Sequence, residues 1–403
     1  MSTSDQYWAL PDGISEALPD EAWRLENLRR ELLDLYLTWG YRQVMPPLVE
    51  YMQSLSTGLG SHLDVQTFKV TDQLSGRMMG IRADMTPQVA RIDAHKLKTE
   101  HPNRLCYIGT VLRTRAFNQD GSRAPLQVGA ELFGHAGLGS DLEVISLLLN
   151  TLNHCNVPDI TLDIGHVNIF RSLSREAGFS PNQERELYDL LERKALPDIS
   201  YWLNQQSNLS AKSKHHLAQL PYLYGSIEVI DKAKAAFAEA GEAIRESLNY
   251  LSDLLARLQQ DFPNCHLHVD LTELSGYDYH TGVIYAAYTP GCGQEIARGG
   301  RYDGVGKLFG RDRPATGFST DLRLLNRYYR NAPALPLSIW VPYHQDPKLA
   351  TKVAKLRRQG YCLIRQLDND ASQSPPDAAA CKQRLDLIDG EWQQVTVNSE
   401  NGN

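Results

Sequence analysis

Between residues 20 and 39, apolar side chains return every three or four positions, at Leu25, Leu28, Leu32, Leu35, Tyr36 and Trp39. That period predicts a helix with one buried face. Asp20 is placed to cap its start and Gly40 to stop it. The next stretch, 41–51, is expected to be extended, because Pro46 and Pro47 exclude helix. Strand-like runs at 66–72 and 77–82 flank Leu74-Ser75-Gly76 and predict a hairpin. A helix is expected over 87–97, with Thr86 as N-cap and Pro87 in its first turn. Two more strands, 104–113 and 125–134, bracket a flexible loop at 116–124 that contains Gly121. Ser140-Asp141-Leu142-Glu143 reads as a capping box opening a helix over 141–154, and 160–166 alternates like a half-buried strand.

From about 175 to 262 the pattern turns helical. Leu187, Leu190 and Leu191 share a helical face, and 230–260 reads as one long helix. Strand patterning resumes at 266–271, 282–288 and 294–298, and a last helix is expected near Asp321. After 335 come a strand, a helix, a strand, a linker-like stretch (368–380) and a hairpin, with the final five residues frayed. Sequential strands backed by helices predict an α+β protein: an antiparallel sheet with flanking helices, a helical insertion and a small C-terminal α/β unit. The expected division is 1–174 and 265–332 for the core, 175–264 for the insertion and 335–403 for the small domain.

With 403 residues the chain can hold two or three domains. A net charge of −7 gives no overall attraction to nucleic acid. No run approaches the roughly 18 apolar residues of a membrane span, and the start of the chain has no secretory pattern. The six cysteines are scattered and form no C-x-x-C, as expected for thiols of a cytoplasmic protein.

Several chemistries have no support. The glycines around Lys307 lack the spacing and the Ser or Thr of a P-loop, no dinucleotide fingerprint follows a strand, and His266 and His268 have no evident third metal ligand. No metal or cofactor is therefore expected. What remains is a polar set on the predicted sheet. Asp84 and Thr86 sit between a strand and a helix start. Gln127 and Glu131, four apart on one strand, face the same side. A strand-interior carboxylate among apolar neighbours needs a partner. Such a set suits a small zwitterion with a basic side chain: carboxylates for an ammonium, and Glu131 to accept from an imidazole N–H.

Residues 111–134, 274–285 and 297–324 together resemble the catalytic core of histidyl-tRNA synthetase, a class II aminoacyl-tRNA synthetase. The resemblance covers about 10–330. It implies a histidine pocket made by Asp84, Thr86, Arg113, Gln127, Glu131, Tyr279 and His280. In the family, Asp84 would be a longer glutamate and His280 the tyrosine that reads the imidazole. The resemblance also implies losses. The arginine that polarises the reacting carboxylate falls on Ser275, and the arginine that holds the γ-phosphate on Leu324. A motif-2 glutamate becomes Arg115. One lost preorganised donor typically costs roughly 3–4 kcal/mol of transition-state stabilisation, so two imply an adenylation rate lower by about 10⁴- to 10⁶-fold.

The phrases at 10–22, 66–77, 81–97 and 276–283 are similar to a paralogous family, the regulatory subunits of hetero-oligomeric ATP phosphoribosyltransferase. That resemblance implies a non-catalytic subunit that activates a short-form catalytic subunit in the first step of histidine biosynthesis and transmits feedback inhibition by L-histidine. It further implies a hetero-octamer with four of each subunit, a self-dimer through the class II core, and no tRNA or membrane partner. A free-standing histidine sensor, an active synthetase and an empty scaffold stay open as alternatives.

Overall fold

The computed structural model describes residues 8–56, 65–116, 121–368 and 381–397. Residues 117–120 of the expected flexible loop, most of the expected linker and the chain's last residues lie outside them. The chain divides into two compact units, Met1–Ala332 and Pro333–Asn403.

The first unit is built on a nine-stranded sheet. Its order is Arg42–Gln43, Asn103–Thr110, Leu126–Phe133, Ala315–Asp321, Ala297–Arg301, Val283–Tyr288, Thr161–His166, His266–Asp270 and Tyr224–Gly225. The central pairings are antiparallel. Arg42–Gln43 joins in parallel, as does His266–Asp270 on Thr161–His166.

Alternation along the strands gives the sheet two different faces. Val128, Ala130, Leu132 and Phe318 are buried in one cluster with Leu25, Leu28, Leu32 and Tyr36 of the helix Pro19–Thr38 and Val144 and Leu148 of the helix Leu138–His154. Tyr36 meets Phe318 edge to face, 6.2 Å between ring centres. The opposite face carries Gln127, Gly129 and Glu131, and on it Tyr107 and Tyr302 pack with Val89 and Ala90 of the helix Thr86–Ile92.

Several local expectations change. The first helix starts at Pro19, so its N-cap is Leu18 rather than Asp20, while Gly40 takes the left-handed φ of +81° just past its end. The helix after Thr86 begins at Thr86 itself and loosens into a wider π-turn over Asp93–Leu97, where the buried Asp93 is held by Arg313 at 3.1 Å. The capping box at 140–143 does not form. The helix begins at Leu138 after Gly137, because Ser140 donates to the Gly137 carbonyl (2.7 Å) and the Glu143 carboxylate is taken by Arg104 (2.7 Å). The run 230–260 is two helices, Val229–Ala236 and Glu242–Asp261. Between them the Gly241 N–H donates to the Glu176 carboxylate at 2.9 Å, which fixes the break. The strand expected at 294–298 lies at Ala297–Arg301.

The residues between 167 and 261 also contribute the short edge strand Tyr224–Gly225. Their apolar side chains, Leu187, Leu191, Leu248 and Leu255 among them, belong to the same cluster as the sheet's. The C-terminal unit has the sheet order Cys362–Arg365, Ser338–Val341, Gln383–Ile388 and Glu391–Thr396, with the helix Pro347–Arg358 packed on it. Its hairpin turns at Asp389 and Gly390, both with positive φ.

Candidate functional site

Cross-strand register explains why an open site exists here. Glu131 lies opposite Gly317, and Gly317 opposite Gly300. One step along, Gly129 lies opposite Ser319, and Ser319 opposite Arg298. These positions share a face, so the floor is largely glycine and serine. A Cβ on Gly317 would sit 1.5 Å from Glu131 Oε2 and 2.8 Å from the Ala130 carbonyl oxygen, so only glycine fits.

Above this floor is a cavity of about 520 Å³. Asp84, Thr86, Glu131, Tyr279 and His280 line it, together with Ser275, and the helix Pro181–Glu192 contributes Arg185 and Tyr188 to its wall. Arg185 pairs with Asp278 at 3.0 Å, and the Tyr277 hydroxyl donates to Glu184, tying that helix to the 274–280 loop. A smaller cavity of about 100 Å³ adjoins it, lined by Arg113, Gln127 and Leu324; Glu295, Arg298 and Ser319 line both. Arg115 is exposed and lines neither.

Glu131 is the electrostatic centre. It is 1 % exposed. Three hydroxyls donate to it: Thr86 and Tyr107 to Oε1, both at 2.9 Å, and Tyr302 to Oε2. Burial pushes its carboxyl up to about 8, while those three donors pull the other way. Asp84 accepts from the Thr86 N–H (2.8 Å) and from Gln127 Nε2 (3.1 Å), and Gln127 Oε1 in turn accepts from the Met85 N–H (2.9 Å). The Asp84–Thr86 turn and the Gln127–Glu131 strand are therefore one network. Arg113 donates to the Ala83 carbonyl at 3.2 Å, and burial lowers it to about 10. Tyr279 stacks on Tyr302, 4.9 Å between ring centres, and its buried hydroxyl has no hydrogen-bond partner among the described residues. His280 Nδ1 lies 3.3 Å from the Arg301 carbonyl, and burial brings its pKa down to about 4.

Sequence reasoning missed Tyr107 and Tyr302, whose hydroxyls satisfy Glu131, and the glycine floor. The signal for the tyrosines was weak: Tyr107 lies in an apolar run and reads as core, and Tyr302, between Arg301 and Asp303, has nothing local that ties it to Glu131. The two positions at which the resemblance implies lost arginines carry no charge. Ser275 is exposed at the cavity edge, its N–H bonded to Glu273 (2.9 Å), and Leu324 is a buried apolar side chain. Among the described residues no cluster of His, Cys, Asp or Glu could hold a metal ion, and no helix is long and apolar enough to cross a membrane.

Two outcomes follow from this geometry. Gly317→Ala is expected to push the Glu131 carboxylate off its hydroxyls, costing about 1–3 kcal/mol of stability by overpacking and weakening any ligand held by Glu131. Chemical denaturation together with ligand calorimetry reads both effects. The second concerns pH. Glu131 has a folded pKa above its unfolded one. Its contribution to stability is full below about 4.5 and is lost as pH rises toward about 8. His280 has the opposite sign: its contribution is present above about 6.5 and is lost as pH falls toward about 4. A Glu131→Gln chain should accordingly lose less melting temperature than the parent between pH 5 and 8 (~3 pH units). Parallel curves would contradict the buried, neutral carboxyl.

An antiparallel sheet with this strand order, an Asp-x-Thr turn and a hydroxyl-ringed glutamate define a core of the class II aminoacyl-tRNA synthetase type. Residues 13–325 match the family model described as Histidyl-tRNA synthetase, and 336–395 the one described as ATP phosphoribosyltransferase subunit HisZ C-terminal domain. An ATP phosphoribosyltransferase regulatory subunit from Thioalkalivibrio sulfidiphilus is 53% identical over 379 residues, covering 94% of this chain and 95% of its own. An ATP phosphoribosyltransferase regulatory subunit/histidyl-tRNA synthetase from Bacillus halodurans superposes with a TM-score of 0.80 at 25% identity, over 91% of this chain and 94% of that one. A chain of the ATP phosphoribosyl transferase (HisG:HisZ) complex from Thermotoga maritima shares the fold, with a TM-score of 0.56 at 18% identity over 73% of this chain and 96% of that one. The chain belongs to the family of ATP phosphoribosyltransferase regulatory subunits, non-catalytic members built on the histidyl-tRNA synthetase fold.

Proposed function

We propose that this chain binds L-histidine in the cavity over Glu131 and uses that binding to regulate a short-form ATP phosphoribosyltransferase catalytic subunit, the first enzyme of histidine biosynthesis. The observation that carries the reading is a pocket kept intact beside a phosphate site that is not. Glu131, Asp84, Thr86 and Gln127 form one hydrogen-bonded network, while Ser275 and Leu324 stand where a synthetase would hold carboxylate and phosphate. In the proposed complex the imidazole N–H donates to Glu131 near Tyr279 and His280. The ammonium meets Asp84, Thr86 and Gln127, and Arg113 lies on the carboxylate side. Feedback requires histidine to favour one state of the assembly over another, by a coupling of typically about 1–3 kcal/mol.

The assembly we propose is cytoplasmic and holds four copies of each subunit, with this chain paired to itself through its class II core and making no use of tRNA. Supporting the self-pairing, Leu37, Met45 and Leu48, at the end of the first helix and in the proline-bearing segment, are 65%, 78% and 46% exposed. The test is reconstitution with a short-form catalytic subunit from the same source. Co-elution as a larger complex and faster phosphoribosyl-ATP formation are expected; unchanged size and rate would refute the proposal.

A further inference from the structure

The histidine reading leaves the ligand's carboxylate short of one cation. In the 274–280 loop, which resembles the synthetase signature, the arginine that would face it is Ser275, a short side chain with no charge. A cation does enter the cavity from elsewhere, from the floor of the site. Arg298 lies on the strand Ala297–Arg301, opposite Ser319, whose other neighbour is Gly129. The two-residue alternation places it on the same face as Glu131 and Gln127, and its row lies between theirs.

Because Ser319 is small, the Arg298 side chain can lie over it toward the ligand. It lines both the large cavity, with Glu131 and Ser275, and the small one, with Arg113. Its charge acts on Arg113 and on His280, groups at either side of the site. Glu295, also on both walls, holds its Nη1 at 3.1 Å. A guanidinium carries five N–H donors in a planar fork, so it can keep that carboxylate and receive a second one.

We infer that Arg298 is the specificity residue for the α-carboxylate of the amino-acid ligand, replacing from the sheet floor the arginine missing at Ser275. This rests on the histidine reading of the cavity. It adds that the site distinguishes an amino acid from the corresponding amino alcohol or amine, and that it does so through a residue outside the synthetase-like signature.

The test compares two ligands by calorimetry on the full chain: L-histidine, and L-histidinol, which keeps the ammonium and imidazole but has a hydroxymethyl group for the carboxylate. The parent is expected to prefer histidine by about 10- to 100-fold, the range of a charge-assisted hydrogen bond. In Arg298→Gln, histidine affinity should fall to about the histidinol level while histidinol affinity stays the same, and Arg298→Lys should recover part of the preference. Unchanged histidine affinity in Arg298→Gln, or equal loss of both ligands, would overturn the assignment. Glu131→Gln separates the two levels of the argument, because it should weaken both ligands alike. If the parent binds neither, the histidine reading itself fails and Arg298 falls with it.

Discussion

A Glu131→Gln chain is expected to bind L-histidine on the order of 30- to 5,000-fold more weakly than the parent, because removing one partner of a buried charged hydrogen bond typically costs about 2–5 kcal/mol. The substitution keeps the side chain's size. The glutamine oxygen can still accept from Tyr107 and Thr86, so the fold should survive. What is lost is the group's capacity to ionise. Burial holds the carboxyl up to about 8, and the arrival of an imidazole or ammonium is what makes the carboxylate form favourable. A glutamine cannot respond in this way. Calorimetry showing undiminished histidine binding by a folded Glu131→Gln chain would mean that the ligand, if any, lies elsewhere.

Breaking the Arg301–Asp141 pair is expected to have the largest effect on stability. Asp141 is fully buried and Arg301 nearly so. Arg301 Nε and Nη2 each reach an Asp141 oxygen at 3.0 Å, Nη2 also reaches Ser140 Oγ at 2.7 Å, and Tyr250 donates to the same carboxylate. The pair fastens the first turn of the helix Leu138–His154 to the strand that forms the site floor. Arg301→Met would leave a buried carboxylate without its cation, at a cost of about 3–5 kcal/mol in denaturant unfolding. The double variant Arg301→Met/Asp141→Leu should recover much of that loss, since no unpaired charge remains. A single variant as stable as the parent would show that water or another group already solvates Asp141.

The sequence made the frame and half of the site readable. Strand alternation puts Gln127 and Glu131 on one face without any structure, and the Asp84-x-Thr86 spacing before Pro87 marks a strand-to-helix turn. The rest depends on residues far apart in the chain. Tyr302 reaches Glu131 from 171 positions away, and nothing local distinguishes it from a core tyrosine. The expected capping box at Ser140 failed for a similar reason. Its acidic residue, Glu143, is held by Arg104 at 2.7 Å, the neighbouring Asp141 is used by Arg301, 160 positions on, and those tertiary pairs outweigh a local cap. The missed helix break at Gly241 did have a local signal, the glycine itself, but the Glu176 carboxylate that holds it is on another helix. Arg298 was passed over because a charged residue on a strand reads as a solvated edge until the cross-strand register shows what it faces.

The most direct test of the account is phosphoribosyl-ATP formation by the reconstituted complex across a histidine titration, run side by side with parent and Glu131→Gln chains. The account predicts equal rates without histidine, inhibition of the parent complex as histidine rises, and little or no inhibition of the Glu131→Gln complex over the same range. Equal inhibition of both complexes would contradict it, because histidine would then be acting at a site that does not include Glu131.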